Sequence, residues 1–201
     1  MAALRQLAGP LTQLDNPGGF AYRSATDELY LAEHTPLPTM TGEILVFPRT
    51  TDGNVAPSRV IAGPSTQLGT FVSSVAAHPV LPEIYALVGT ADGDGSAGSI
   101  VTFAASDAGD AIPLRVISGS QTLLRNNNGF EYDPRTDEFV VFTNVYGSGT
   151  PALLFFPRTA VGDVAPSRVL SGPSTGLGES YGPLAASLDL IFDDGFEATG
   201  P

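Results

Sequence analysis

The segments of this chain best equipped for chemistry are rich in side-chain oxygens. Asp92-Gly93-Asp94-Gly95-Ser96 alternates oxygen ligands with glycine, a pattern that can wrap a hard cation such as Ca²⁺. An EF-hand loop opening at Asp92 needs glycine sixth and a bidentate acid twelfth. Ala97 and Phe103 stand there, so that motif fails and a glycine-rich hairpin is the better reading. Elsewhere Asp15, Asn16, His34, Asn126, Asn127, Asn128, Asn144, Tyr146, Glu179 and Tyr181 place acids, amides and aromatics in Gly- and Pro-rich stretches. Such a collection suits a cation, a sugar or a peptide, and it is also what turns are ordinarily made of. Glu131, on an apolar strand, could hold a metal together with Asn128 or simply be a solvated residue. His34 and His78 stand in no metal-ligand spacing. Neither a Gly-x-Ser-x-Gly elbow nor a Walker-type loop occurs, so no catalytic residue is assigned.

The elements that must carry these loops are legible from a phrase spoken four times. Ala56-Pro57-Ser58-Arg59-Val60-Ile61-Ala62-Gly63-Pro64-Ser65-Thr66 returns as Ala165-Pro166-Ser167-Arg168-Val169-Leu170-Ser171-Gly172-Pro173-Ser174-Thr175. Looser copies surround Arg5 and Arg115, so the four arginines lie 54, 56 and 53 residues apart. Within each period, short β-branched or aromatic runs bounded by Gly, Pro, Asn and Asp predict four strands and no useful helix. In the first period these are Phe20-Tyr22, Glu28-Glu33, Glu43-Phe47 and Ser58-Ala62. The runs are nearly continuous in apolar residues, which predicts sheets buried on both faces. Recurrent Arg59, Arg115 and Arg168 read as structural, pairing ions or capping turn carbonyls in every unit.

Composition narrows the function. With 201 residues, 42% of them hydrophobic and 15% charged, the chain is long enough for one sizeable core. A net charge of −12 leaves no basic stripe for nucleic acid and argues against an anionic membrane surface. No apolar run reaches the roughly 20 residues of a membrane helix. With Cys 0, thiolate chemistry is excluded.

Four antiparallel strands per period describe a β-propeller blade, which must stack on its neighbours to shield its faces. The phrase Gly53-Asn54-Val55-Ala56-Pro57 with Ile44-Leu45-Val46-Phe47 and Glu28-Leu29-Tyr30-Leu31-Ala32 resembles bacterial NHL-like β-propeller repeats. Departures include Glu33, where those repeats carry Asn. The resemblance implies secreted or envelope scaffolds and binding surfaces, and in some relatives a hydrolase or lyase with a channel metal.

The expected architecture is therefore all-β, with residues 1–192 as propeller repeats (about 4–57, 58–113, 114–166 and 167–192) and residues 193–201 as an acidic tail. About four blades are expected, the last a composite of N- and C-terminal strands; the alternative is an open three-blade array completed by dimerisation. The expected role is a non-enzymatic module presenting a polar, acidic loop face to a protein, peptide or glycan. A metal-assisted hydrolase, lactonase or lyase is the alternative, and a fragment of a larger propeller a third. No cofactor is expected, Ca²⁺ being the one cation the loops would suit.

Overall fold

Among the described residues of the computed structural model, twelve strands form three four-stranded antiparallel sheets, each a simple meander. The structure describes residues 5–36, 38, 40–89, 98–125, 127–145 and 150–177, the side chains of Asn127, Asn128, Asn144 and Val145 excepted. The first sheet contains β1 (Phe20–Arg23), β2 (Glu28–His34), β3 (Gly42–Pro48) and β4 (Arg59–Ile61). The second contains β5 (Phe71–Ala77), β6 (Glu83–Gly89), β7 (Ser99–Ala104) and β8 (Arg115–Ser118). The third contains β9 (Asn127–Asp133), β10 (Glu138–Val145), β11 (Thr150–Pro157) and β12 (Arg168–Ser171). Each strand falls where its apolar run predicts. Among the described residues no helix is long and apolar enough to cross a membrane.

Register makes the three sheets superimposable in sequence. Phe20 faces Leu31, Leu45 and Val60 across the first sheet, as Phe130 faces Val141, Leu154 and Val169 across the third. Successive side chains along a strand point to opposite faces, so such rows pack together. One core joins Tyr30, Ile44, Val46 and Ile61 of the first sheet to Val75, Ile84, Val101 and Phe103 of the second. A second core joins Tyr85, Leu87 and Ile117 to Phe130, Phe139, Leu154 and Phe156 of the third.

Burial on both faces holds for the middle sheet and is only partial for the other two, although Leu45 and Phe47 on the first sheet's outer face are completely buried. Phe20 and Tyr22 are 72% and 46% exposed, whereas their register equivalents Phe130 and Tyr132 are buried against the second sheet. β12 is exposed along its whole length. The physical reason is position: the bare residues are those with no neighbouring sheet against them among the described residues.

The repeated phrase latches one sheet to the next. Ile61 forms a parallel bridge with Gly109, and Ile117 with Gly162, each in the loop before the next sheet's outermost strand. Leu7 makes the same bridge to Gly53, so the opening phrase latches onto the first sheet. Beyond each bridge the chain turns at a glycine with positive φ, at Gly9, Gly63 and Gly119. An Asx side chain from the next sheet then accepts a backbone N–H: Asn54 from Leu11 (2.8 Å), Asp110 from Ser65 (2.6 Å), Asp163 from Gln121 (2.7 Å). A Cβ on Gly63 or Gly119 would run into that carboxylate, which is why glycine stands there. The 3-10 turns that follow, Pro10–Thr12 and Pro64–Thr66, were not anticipated. Proline presets their φ, and a buried threonine hydroxyl donates back to the glycine carbonyl (2.6 Å in both).

The arginines do what their recurrence suggests. Arg59 pairs with Glu28 (2.7 Å) in its own sheet and donates to the Ala105 and Asp107 carbonyls of the next (2.8 and 3.0 Å). Arg115 pairs with Glu83 (2.6 Å), and Arg158 reaches the same carboxylate from the third sheet (3.0 Å). Arg168 pairs with Glu138 (2.5 Å) and lies over the Phe155 ring.

Candidate functional site: a pocket beside buried acids on the first sheet

β2 carries a charge, Glu33, just before its last residue and at the end of an apolar run. Glu33 follows Leu29-Tyr30-Leu31-Ala32 and is completely buried, directly opposite Glu43 on β3. Like charges facing each other across a ladder are destabilising, and a buried carboxylate needs hydrogen bonds. Part of that need is met: Glu33 Oε1 accepts the backbone N–H groups of Asn16 (2.6 Å) and His34 (3.0 Å). Oε2 is equally buried and has no hydrogen-bond partner among the described residues.

The loop carrying Asp15 and Asn16 reaches this carboxylate because Gly18 and Gly19 let it run between β2 and β5. Gly18 N–H donates to Ala32 O (2.9 Å), and Gly19 N–H donates to Ser73 O (3.0 Å). A Cβ on Gly18 would meet the Ser73 carbonyl at 2.7 Å, and one on Gly19 would meet the Ser74 side chain. Only glycine permits that approach.

A cavity of about 420 Å³ opens here, lined by Asn16, His34, Thr35, Pro36 and Met40. The His34 ring packs on Phe71 (centroids 4.8 Å apart), and its buried Nδ1 makes no hydrogen bond among the described residues. Thr35 and Thr41 close the loop above, with Thr35 N–H donating to Thr41 O (3.0 Å). The Glu43 carboxyl is pushed up from its ordinary pKa, first by burial and then by the negative charges of Glu33 and Asp15. The electrostatic consequence is negative charge gathered beside a cavity whose own lining carries no acid.

The sequence expectations meet this geometry unevenly. Asn16 and His34 meet at Glu33 through their backbone N–H groups, and Asp15 lies near enough to Glu43 to act on its charge. Asn127 and Asn144 sit at the corresponding end of the third sheet, opposite Thr143 and Pro151, with Asn128 beside them on β9. Glu131 lies mid-strand opposite Val140, on the face turned away from the second sheet, and its Oε1 accepts the Tyr132 N–H (3.0 Å). It takes no part in this pocket. Asp92, Asp94, Asn126, Tyr146, Glu179 and Tyr181 lie outside the described residues. Among the described residues, no group of three His, Asp or Glu side chains is arranged to hold a metal. His78 is a turn residue, its Nδ1 accepting the N–H groups of Val80 (3.0 Å) and Leu81 (2.9 Å).

Sequence reasoning passed over Glu33 and Glu43 as site residues. The signal was present in Glu33 itself, an acid closing an apolar strand run where the other two sheets carry Val88 and Thr143.

No protein-family model and no curated protein matches the chain. Among solved structures, the crystal structure of the eukaryotic initiation factor aligns with 82% of this chain at 12% identity and a TM-score of 0.49. The chain spans 34% of that protein's length.

Proposed function

We propose that the three sheets are blades of an NHL-like β-propeller left open within one chain, and that the protein is a non-enzymatic binding module. Its site is the hollow beside Glu33, and its ligand is a cationic side chain, Lys or Arg, presented by a peptide or protein. The observation that carries this reading is the fully buried Glu33 carboxylate with an unpartnered Oε2. Glu43 and Asp15 add negative charge beside it, and an entering guanidinium would supply the missing donors. A neutral glycan would leave those charges uncompensated. The same loop end recurs on adjacent blades, which suits an extended peptide better than a small molecule.

Calorimetric titration with acetyl-Gly-Arg-Gly-amide and its citrulline analogue tests the proposal. The arginine peptide is expected to bind and the citrulline peptide not to, with affinity falling as salt rises. Glu33→Gln keeps an acceptor for the Asn16 and His34 N–H groups, so the chain stays folded. It is expected to weaken binding by at least about tenfold, roughly 1.4 kcal/mol. Equal heats for the two peptides would overturn the reading. So would saturable Ca²⁺ or Zn²⁺ binding that Glu33→Gln abolishes without any peptide effect.

A further inference from the structure

The chain holds four copies of the latching phrase, at Arg5, Arg59, Arg115 and Arg168. It holds only three Gly-Asx-x-x-Pro loops to receive them, beginning at Gly53, Gly109 and Gly162; residues 178–201 contain none. Among the described residues the fourth phrase is open. Leu170 is 47% exposed, while its equivalents Ile61 and Ile117 are buried. Gly172 adopts the same turn as Gly63 and Gly119, with φ of 108° against 135° and 129°. A Cβ built on Gly172 meets nothing within 4 Å, whereas on the other two it would strike an aspartate. Arg168 is 57% exposed along its side chain, against 22% for Arg59, which caps carbonyls of the following sheet.

One of the three loops is held differently from the others. Gly109 and Gly162 are latched by β4 and β8, which are strands of full sheets. Gly53 is latched by Leu7, in a short segment outside the three sheets. The sheet faces at the two ends match in the same way. Phe20 and Tyr22 lie bare on the first sheet, at the positions that Phe130 and Tyr132 bury against the preceding sheet. Leu153 and Phe155 lie half-buried on the far face of the third.

We propose that β12 and Gly172 form a docking edge for a second copy of this chain, whose Gly53-Asn54 loop takes β12 in place of its own residues 5–14. The contact is the sheet-to-sheet junction already made twice within the chain, now made between two molecules. The far face of one third sheet covers Phe20 and Tyr22 of the next first sheet, and Asn54 caps the turn after Gly172. The association is head to tail, and the opening phrase competes with it. This needs no ligand and stands apart from the pocket beside Glu33.

Light scattering over a concentration series of the 201-residue chain tests it. The unaltered chain is expected to associate weakly, its mean mass rising with concentration. Leu7→Asp weakens the competing phrase without touching the Gly53-Asn54 loop. It should bring the same association at a concentration lower by at least about tenfold. Adding Leu170→Asp, an exposed position, should return the Leu7→Asp chain to a single 20.8 kDa species. A Leu7→Asp chain that stays monomeric throughout, or association that survives Leu170→Asp, would overturn the proposal.

Discussion

Phe139→Ala is expected to lower the unfolding free energy by about 3–5 kcal/mol, the range for truncating a fully buried aromatic. Phe139 is completely buried, and it is where the second and third sheets meet. Its ring lies 4.8 Å from Tyr85, 5.6 Å from Phe130 and 6.1 Å from Tyr132, centroid to centroid. Removing it leaves a hollow bordered by three aromatics that backbone register prevents from closing in. Leu29, its equivalent in the first sheet, has no preceding sheet over it and is only half-buried. Leu29→Ala should therefore cost markedly less, and urea denaturation of the two variants reads the difference. Equal losses would mean that the first sheet is covered as thoroughly as the third.

Glu83→Ala comes next, with an expected loss of about 2–4 kcal/mol. This carboxylate accepts from Arg115 (2.6 Å) within its sheet and from Arg158 (3.0 Å) across the boundary to the third sheet, and from the Tyr85 hydroxyl (3.1 Å). Truncation strands two partly buried guanidinium groups, which is worse than losing the pair outright. Burial pushes the Glu83 carboxyl up, but Arg115, Tyr85 and Arg158 together hold it below its ordinary pKa. A carboxylate lowered in the folded state stabilises at any pH above its unfolded value of about 4.3, and that contribution disappears as pH falls through the folded value. The difference between the unaltered chain and Glu83→Ala should accordingly be full at pH 7 and shrink below pH of about 4. Denaturation midpoints at the two pH values check it, and a pH-independent difference would contradict the ion-pair account.

Much of this architecture was legible because local pattern and turn chemistry agree. In β6, Glu83-Ile84-Tyr85-Ala86-Leu87-Val88 is apolar on both faces, and its sheet is covered on both. In β1, Phe20-Ala21-Tyr22 carries the same kind of pattern but meets no neighbour on one side. Nothing in the residues themselves separates those cases. Coverage is a property of the stack, and patterning reports only the capacity for it. The latch was visible as recurrence, yet its mechanism was not. Gly63 needs its positive φ and its missing Cβ because of Asp110, which is 47 residues away in sequence and belongs to the next sheet. The pocket beside Glu33 was half legible. Asp15, Asn16 and His34 stood out as loop polars, but loop polarity is commonplace, and it could not be ranked without knowing which loops converge. Glu33 was the better clue, since a carboxylate inside an apolar strand is costly wherever it lies. Its meaning depends on the two N–H groups that reach it from elsewhere in the fold.

Amide exchange at three equivalent residues tests most directly the claim that each sheet's outer strand is closed by the sheet after it. Ala62 N–H donates to Gly109 O (3.0 Å) and Ser118 N–H donates to Gly162 O (3.1 Å), while Ser171 occupies the same place on β12. In dilute solution, exchange followed by NMR should show Ala62 and Ser118 strongly protected and Ser171 faster by at least about a hundredfold. Protection at Ser171 equal to that at Ser118 would contradict the account, because a following sheet would then already lie against β12.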